Sequence, residues 1–289
     1  MRVGVLGPLE VEGDGAVAPS RPKERAVVAY LAMRAGRPAS VADLVDALWG
    51  EEPHTTAVKS LQSYVARARA SLGRDALVAA ADGYRLAVEA EDVDLVQFER
   101  ALDAAGALGA EGRVQESVAV LDRALDLWRG QPLTDLPESE VARAEAVRLG
   151  ELRAAALESR VAVRSALGDW AWAVAESERL VAEAPLRERR WALLMTALFG
   201  SGRQADALRA FQRARDTLVE ELGIEPGDEL RSIEARVVAQ DATLVTVAPA
   251  EPVAPTSARH QSDSLPSGTG TFVMTDIEGS TALWDREPI

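Results

Sequence analysis

Hydrophobic spacing divides the chain into a short mixed opening and a long helical body. Residues 3–6 and 9–11 are brief β-rich runs separated by Gly7-Pro8 and followed by the turn-rich stretch 13–15, so the chain is expected to open with a small antiparallel sheet. Ser20 and Pro22 begin a helix predicted to run to about Ala35, where Gly36 ends it. Arg21, Lys23 and Arg25 stand in its first turns, where cations oppose the helix dipole, which hints at another use for them. Ser40 is placed to cap a second helix. Its Val41, Leu44, Val45 and Leu48 follow the i, i+3, i+4, i+7 pattern, and Trp49 closes the apolar face before Gly50.

A third helix is predicted over residues 55–72, TTAVKSLQSYVARARASL. At about 100° per residue, Val58, Leu61, Val65, Ala68 and Leu72 fall on one stripe, which is expected to be buried. The opposite side carries Thr56, Lys59, Ser63, Ala66, Arg67 and Ala70, with Gln62 and Arg69 on a flank. It joins cationic and amide donors to residues too small to obstruct a groove. No acidic residue occurs from Pro53 to Arg74, so the local field is positive. Two extended runs, 77–80 and 84–86, then flank Asp82-Gly83, a hairpin signal.

Strands, three helices and a terminal hairpin within the first 90 residues follow the order of a winged helix-turn-helix. The third helix is then the reader and the hairpin the wing. Lys59 and Arg67 suit phosphate or guanine contacts, and Gln62 suits adenine or a phosphate. Thr55 or Thr56, at the helix start, presents a hydroxyl and a backbone N–H to a phosphate. Ser63 and Arg69 complete the face; Arg85 serves either the wing or an ion pair across the hairpin, and both readings stay open.

From Asp94, a plausible N-cap, the composition turns to Ala, Leu, Glu and Arg, and an all-α repeat domain is expected. Gly112-Arg113, Gly168-Asp169 and Gly202-Arg203 recur as turns between helices. The offset from Gly168 to Gly202 is 34 residues, the tetratricopeptide period, and Pro185 ends a helix where that repeat expects a proline. A long helix over residues 138–167 separates the first unit from the others. Such repeats stack into a superhelix whose concave face binds peptides or partner helices. Trp128, Trp170, Trp172 and Trp191 fit the core of that stack better than a ligand pocket. Pro249, Pro252, Pro255 and Pro266 stand amid Ala, Ser, Thr and Gly without apolar periodicity, so residues 246–270 read as a disordered linker.

Charge sharpens this division. The formal net charge is −14, yet residues 1–90 hold 11 Lys/Arg and 11 Asp/Glu, whereas the remainder holds 21 and 35. All the excess acid therefore lies outside the predicted DNA-binding part. Cysteine is absent and the two histidines, His54 and His260, have no partner cluster of metal spacing, so no cofactor or metal is expected. The sequence shows no secretory signal and no membrane-length apolar run, which points to a cytoplasmic protein without a membrane partner.

The runs GVLGPLEV, RPKERAVVAYLAMRAGRPASVADLVDALWG, SLQSYVARARASLG and DGYRL resemble the OmpR/PhoB-type DNA-binding domain of the Streptomyces antibiotic regulatory protein (AfsR/SARP) family. PLTDLP and the sequence from ARAEAVRLG onward resemble the bacterial transcriptional activator domain that follows it. The resemblance implies a transcriptional activator that binds direct repeats in promoter DNA, contacts RNA polymerase and forms a homodimer on DNA. It also implies an all-helical, tetratricopeptide-like module for dimerisation or regulation. TFVMTDIEGSTALWDREPI, residues 271–289, resembles the start of a class III adenylate/guanylate cyclase domain, in which Asp276 matches a metal-ligating aspartate. Nineteen residues lack the rest of that machinery, so no catalytic activity is expected. The expected organisation is thus 1–90 winged helix, 91–245 helical repeats, 246–270 linker and 271–289 cyclase-like start. The competing readings are a regulatory fragment of a nucleotide cyclase and an interaction scaffold that does not bind DNA.

Overall fold

The computed structural model describes residues 1–13, 15–50 and 52–245. The predicted linker, the cyclase-like stretch and Asp276 lie outside the described residues. Strands β1 (Arg2–Gly4) and β2 (Glu10–Glu12) pair antiparallel, with Val3 opposite Val11. Helix α1 (Pro22–Met33) starts with a proline, whose missing N–H costs nothing in the first turn. Helix α2 (Val41–Trp49) begins at the predicted cap, which is a complete capping box. The Ser40 Oγ accepts the Asp43 N–H at 3.0 Å, and the Asp43 carboxylate accepts the Ser40 N–H at 3.2 Å.

Strand β3 (Ala39–Ser40) joins the hairpin of β4 (Leu77–Ala79) and β5 (Gly83–Leu86) in an antiparallel sheet of order β3-β5-β4. At Gly83 a Cβ would come within 1.9 Å of the Ala39 carbonyl oxygen, so the Asp82-Gly83 pair serves the approach of β3 as well as the turn. Helix α3 (Ala57–Leu72) lies between α2 and this hairpin and packs on both α1 and α2. The order is that of a winged helix.

The buried stripe of α3 differs from expectation at its first turn. Leu61, Val65, Ala68 and Leu72 enter the core, but Val58 is 47 % exposed and Ala57 is buried instead. Ala57 and Val58 stand at opposite edges of the stripe, and periodicity does not say which edge the neighbouring elements cover. They cover the Ala57 edge and leave Val58 half in solvent.

The remaining helices are α4 (Asp94–Ala110), α5 (Val114–Asp126), α6 (Glu140–Ala166), α7 (Trp170–Glu183), α8 (Glu188–Gly200), α9 (Gln204–Leu222) and α10 (Asp228–Val238). Each packs against the next in the chain. The turns at Gly112, Gly168 and Gly202 are left-handed, with φ of 75°, 79° and 78°. After α7, the Pro185 carbonyl accepts the Trp191 indole N–H at 2.8 Å, and Trp191 is buried. Trp128 meets Phe98 edge-on at 5.3 Å, and Trp172 packs under the guanidiniums of Arg160 and Arg164. These three tryptophans serve packing, as expected; the fourth, Trp170, is half-buried against Gly200 and borders a surface recess with Ala171, Val174 and Arg203.

Asp94 does not cap its own helix; Val93 is the N-cap of α4. The Asp94 carboxylate instead accepts the N–H groups of Val5 and Leu6 at 2.8 and 3.1 Å and pairs with Arg129 at 3.0 Å. Two successive amides of the loop after β1 satisfy both oxygens at once, which one orphan amide of its own helix would not. The loop between α5 and α6 continues the contact. Arg129 and Leu133 donate their N–H groups to the carbonyls of Leu6 and Val5 at 2.8 and 2.9 Å. Asp135 accepts the Leu9 N–H and pairs with Arg25 of α1, which explains a cation in the first turn of that helix. One hydrophobic core therefore runs from Val3 in the opening sheet to Val163 in α6.

Candidate nucleic-acid interface

Thr55, Thr56, Lys59, Gln62 and Ser63 are all exposed, along with Val58, Ala66 and Ala70. They form one face of α3 and the turn before it. The Ser63 hydroxyl donates to the Lys59 carbonyl at 3.1 Å, so it is held along the helix. Thr56 Oγ1 and His54 Nδ1 are hydrogen-bonded at 3.1 Å. Among the described residues, the side chains of Lys59 and Gln62 make no hydrogen bond or ion pair and remain available to a ligand.

An aromatic cluster that the sequence did not reveal fixes the approach to this face. Trp49, at the end of α2, stacks on Tyr64 of α3 with centroids 6.0 Å apart and meets His54 edge-on at 5.2 Å. Lys23 lies 5.3 Å from the Trp49 ring and donates to the Leu48 carbonyl, and its burial lowers its pKa. These contacts anchor both ends of the loop between α2 and α3. The signal was present as a Trp and a Tyr fifteen residues apart, but nothing in their spacing implies a stack.

The predicted arginines divide into two kinds. Arg67 points toward α1, where its Nε donates to the buried Glu24 carboxylate while its guanidinium lies 5.1 Å from the Tyr64 ring. Its side chain remains 43 % exposed. Arg69 turns toward the wing; its Nε–H donates to the Leu77 carbonyl at 2.8 Å, and it lies 5.8 Å from the Tyr84 ring. Both therefore brace the helix. Arg85 is exposed on β5, and among the described residues its side chain makes no ion pair, so the bridge across the hairpin is not formed. Arg74, not singled out from the sequence, joins Ala66, Arg69 and Ala70 around a shallow recess on the exposed side of α3. Two small side chains between two cations leave room for a phosphate-bearing strand.

Among the described residues no group of three or more His, Cys, Asp or Glu is arranged to hold a metal, and no helix is long and apolar enough to cross a membrane.

The model of the family described as "Transcriptional regulatory protein, C terminal" matches residues 15–86, the winged helix. That of the bacterial transcriptional activator domain matches residues 93–238, the helical body. The regulatory protein DnrI of Streptomyces peucetius is 34 % identical over 88 % of this chain and 98 % of its own length. The chain belongs to the SARP family of transcriptional regulators. Among further SARP-type relatives, the regulatory protein AfsR of Streptomyces coelicolor is 39 % identical over 86 % of the chain, which spans about a quarter of AfsR. A solved structure of Mycobacterium tuberculosis EmbR in complex with a low-affinity phosphopeptide superposes with a TM-score of 0.78 at 38 % identity, covering 83 % of this chain and 65 % of that one. The matched families and relatives are regulators, not enzymes.

Proposed function

We propose that the protein is a sequence-reading activator that docks α3 in the major groove of promoter DNA while the β4–β5 wing lies along the flanking backbone. The observation that carries this reading is the exposed face of α3. Its Lys59 and Gln62 have no intramolecular partner among the described residues, no acid interrupts the helix, and the adjoining side chains are too small to block a groove. Lys59 contacts a phosphate or guanine, Gln62 an adenine edge, and Thr55, Thr56 and Ser63 offer hydroxyls near the strand. Arg85 reaches the backbone from the wing. Arg67 and Arg69 act chiefly by holding the reader against α1 and the wing, and any phosphate contact they make is added to that role.

Residues 91–245 then form a tetratricopeptide-like stack that mediates dimerisation or regulation, so that two copies occupy direct repeats and recruit RNA polymerase in the cytoplasm. The family match supports this division of labour; no role is assigned to the cyclase-like residues 271–289. Fluorescence anisotropy of the full chain with promoter duplexes, titrated at several salt concentrations, tests the DNA contact. Replacing Lys59 by Ala is expected to weaken binding to all duplexes and, for a phosphate contact, to lower the salt slope by about 1. An unchanged affinity and slope would remove Lys59 from the interface.

A further inference from the structure

Val58 is the large apolar residue that α3 leaves exposed. It is 47 % exposed, while the other large apolar residues of the helix are at least partly buried in the core. It stands in the first turn, the part of a recognition helix that meets base edges. Four residues on, and so on the same side one turn away, is the unpartnered Gln62. A branched hydrocarbon gains nothing in water here and lowers helix propensity, yet its neighbours Thr55, Lys59 and Gln62 are all polar and suited to DNA.

In the major groove the one apolar group on a base edge of unmodified DNA is the C5-methyl of thymine. We infer that Val58 reads thymine by packing its two methyl groups on that C5-methyl, next to the adenine edge met by Gln62. The inference rests on the DNA-reading function proposed above and adds its base preference: the operator carries a thymine under the first turn of α3.

Deoxyuridine removes the methyl and leaves base pairing intact, so it tests this contact directly. The full chain is used to enrich a duplex from a random library, and each thymine in that duplex is replaced in turn. One replacement is expected to weaken the wild type about fourfold, the loss of one buried methyl group. Val58→Ala is expected to bind the thymine duplex more weakly than wild type, to lose sensitivity at that one position, and to melt no more than a few degrees from wild type, because about half of the side chain is already in solvent and Ala favours the helix. If wild type and Val58→Ala respond identically at every thymine, the contact does not exist and Val58 serves something other than DNA. If no motif is enriched at all, the DNA-reading function falls and this inference with it, which separates the two failures.

Discussion

Arg67 carries the polarity of a DNA-binding residue and the contacts of a structural one. The Glu24 carboxylate is buried on α1, and Arg67 is its partner across the α1–α3 contact. Removing the arginine would leave a buried carboxyl group without its hydrogen-bond donor, a situation that costs more than the pair itself contributes. Arg67→Ala is therefore expected to destabilise the protein by about 1–3 kcal/mol in thermal or denaturant melts. Adding Glu24→Gln should recover part of that loss by removing the buried carboxyl group; a double variant no more stable than Arg67→Ala would contradict the account. Lys59→Ala, by contrast, touches no partner among the described residues and should stay within about 0.5 kcal/mol of wild type. It is the cleaner probe of DNA contact.

At the scale of elements, α2 is the platform for α3, and its start is fixed by the Ser40–Asp43 box. Ser40→Ala should cost about 1 kcal/mol, read as a lower urea midpoint with unchanged slope. A changed slope would mean that the cap shapes the denatured state instead. This cap was legible in the sequence because Ser40 stands three residues before an acid at the head of an apolar periodic run, and the mechanism is local. The Asp82-Gly83 hairpin and the Gly168 and Gly202 turns were legible for the same reason. The exposure of Val58 was not, because it depends on which edge of the apolar stripe the neighbouring elements cover. Nor was the destination of Arg67, Arg69 and Asp94: a charged residue's partner can lie anywhere in the chain, and the three partners here are 43, 8 and 89 residues away. The polar face of α3 was legible as a surface, whereas the division between side chains left free and side chains that brace the helix required the fold.

At the scale of the molecule, the opening sheet and α1 are tied to the helical body through Asp94 and Asp135, and one hydrophobic core joins the winged helix to the activator domain. Burial acts to raise the Asp135 pKa. The Arg25 hydrogen bond, the Leu9 N–H and the Arg25 charge outweigh it, and the value lies below the ordinary carboxylate range. Its stabilisation is thus fully present above about pH 4, the unfolded value, and is lost as pH falls through the lowered folded value. Asp135→Asn should melt below wild type at neutral pH, and the gap should narrow as the pH drops below about 4; a gap independent of pH would assign the effect to packing. On the function proposed above, this assembly presents α3 to a DNA sequence. The most direct test is enrichment of duplexes from a random library by the full chain, in parallel with Lys59→Ala and Gln62→Ala. A repeated motif is expected for wild type, a weaker yield of the same motif for Lys59→Ala when it contacts phosphate, and relaxed preference at one base pair for Gln62→Ala. Binding without any motif, or identical motifs and yields for all three proteins, would contradict the proposed function.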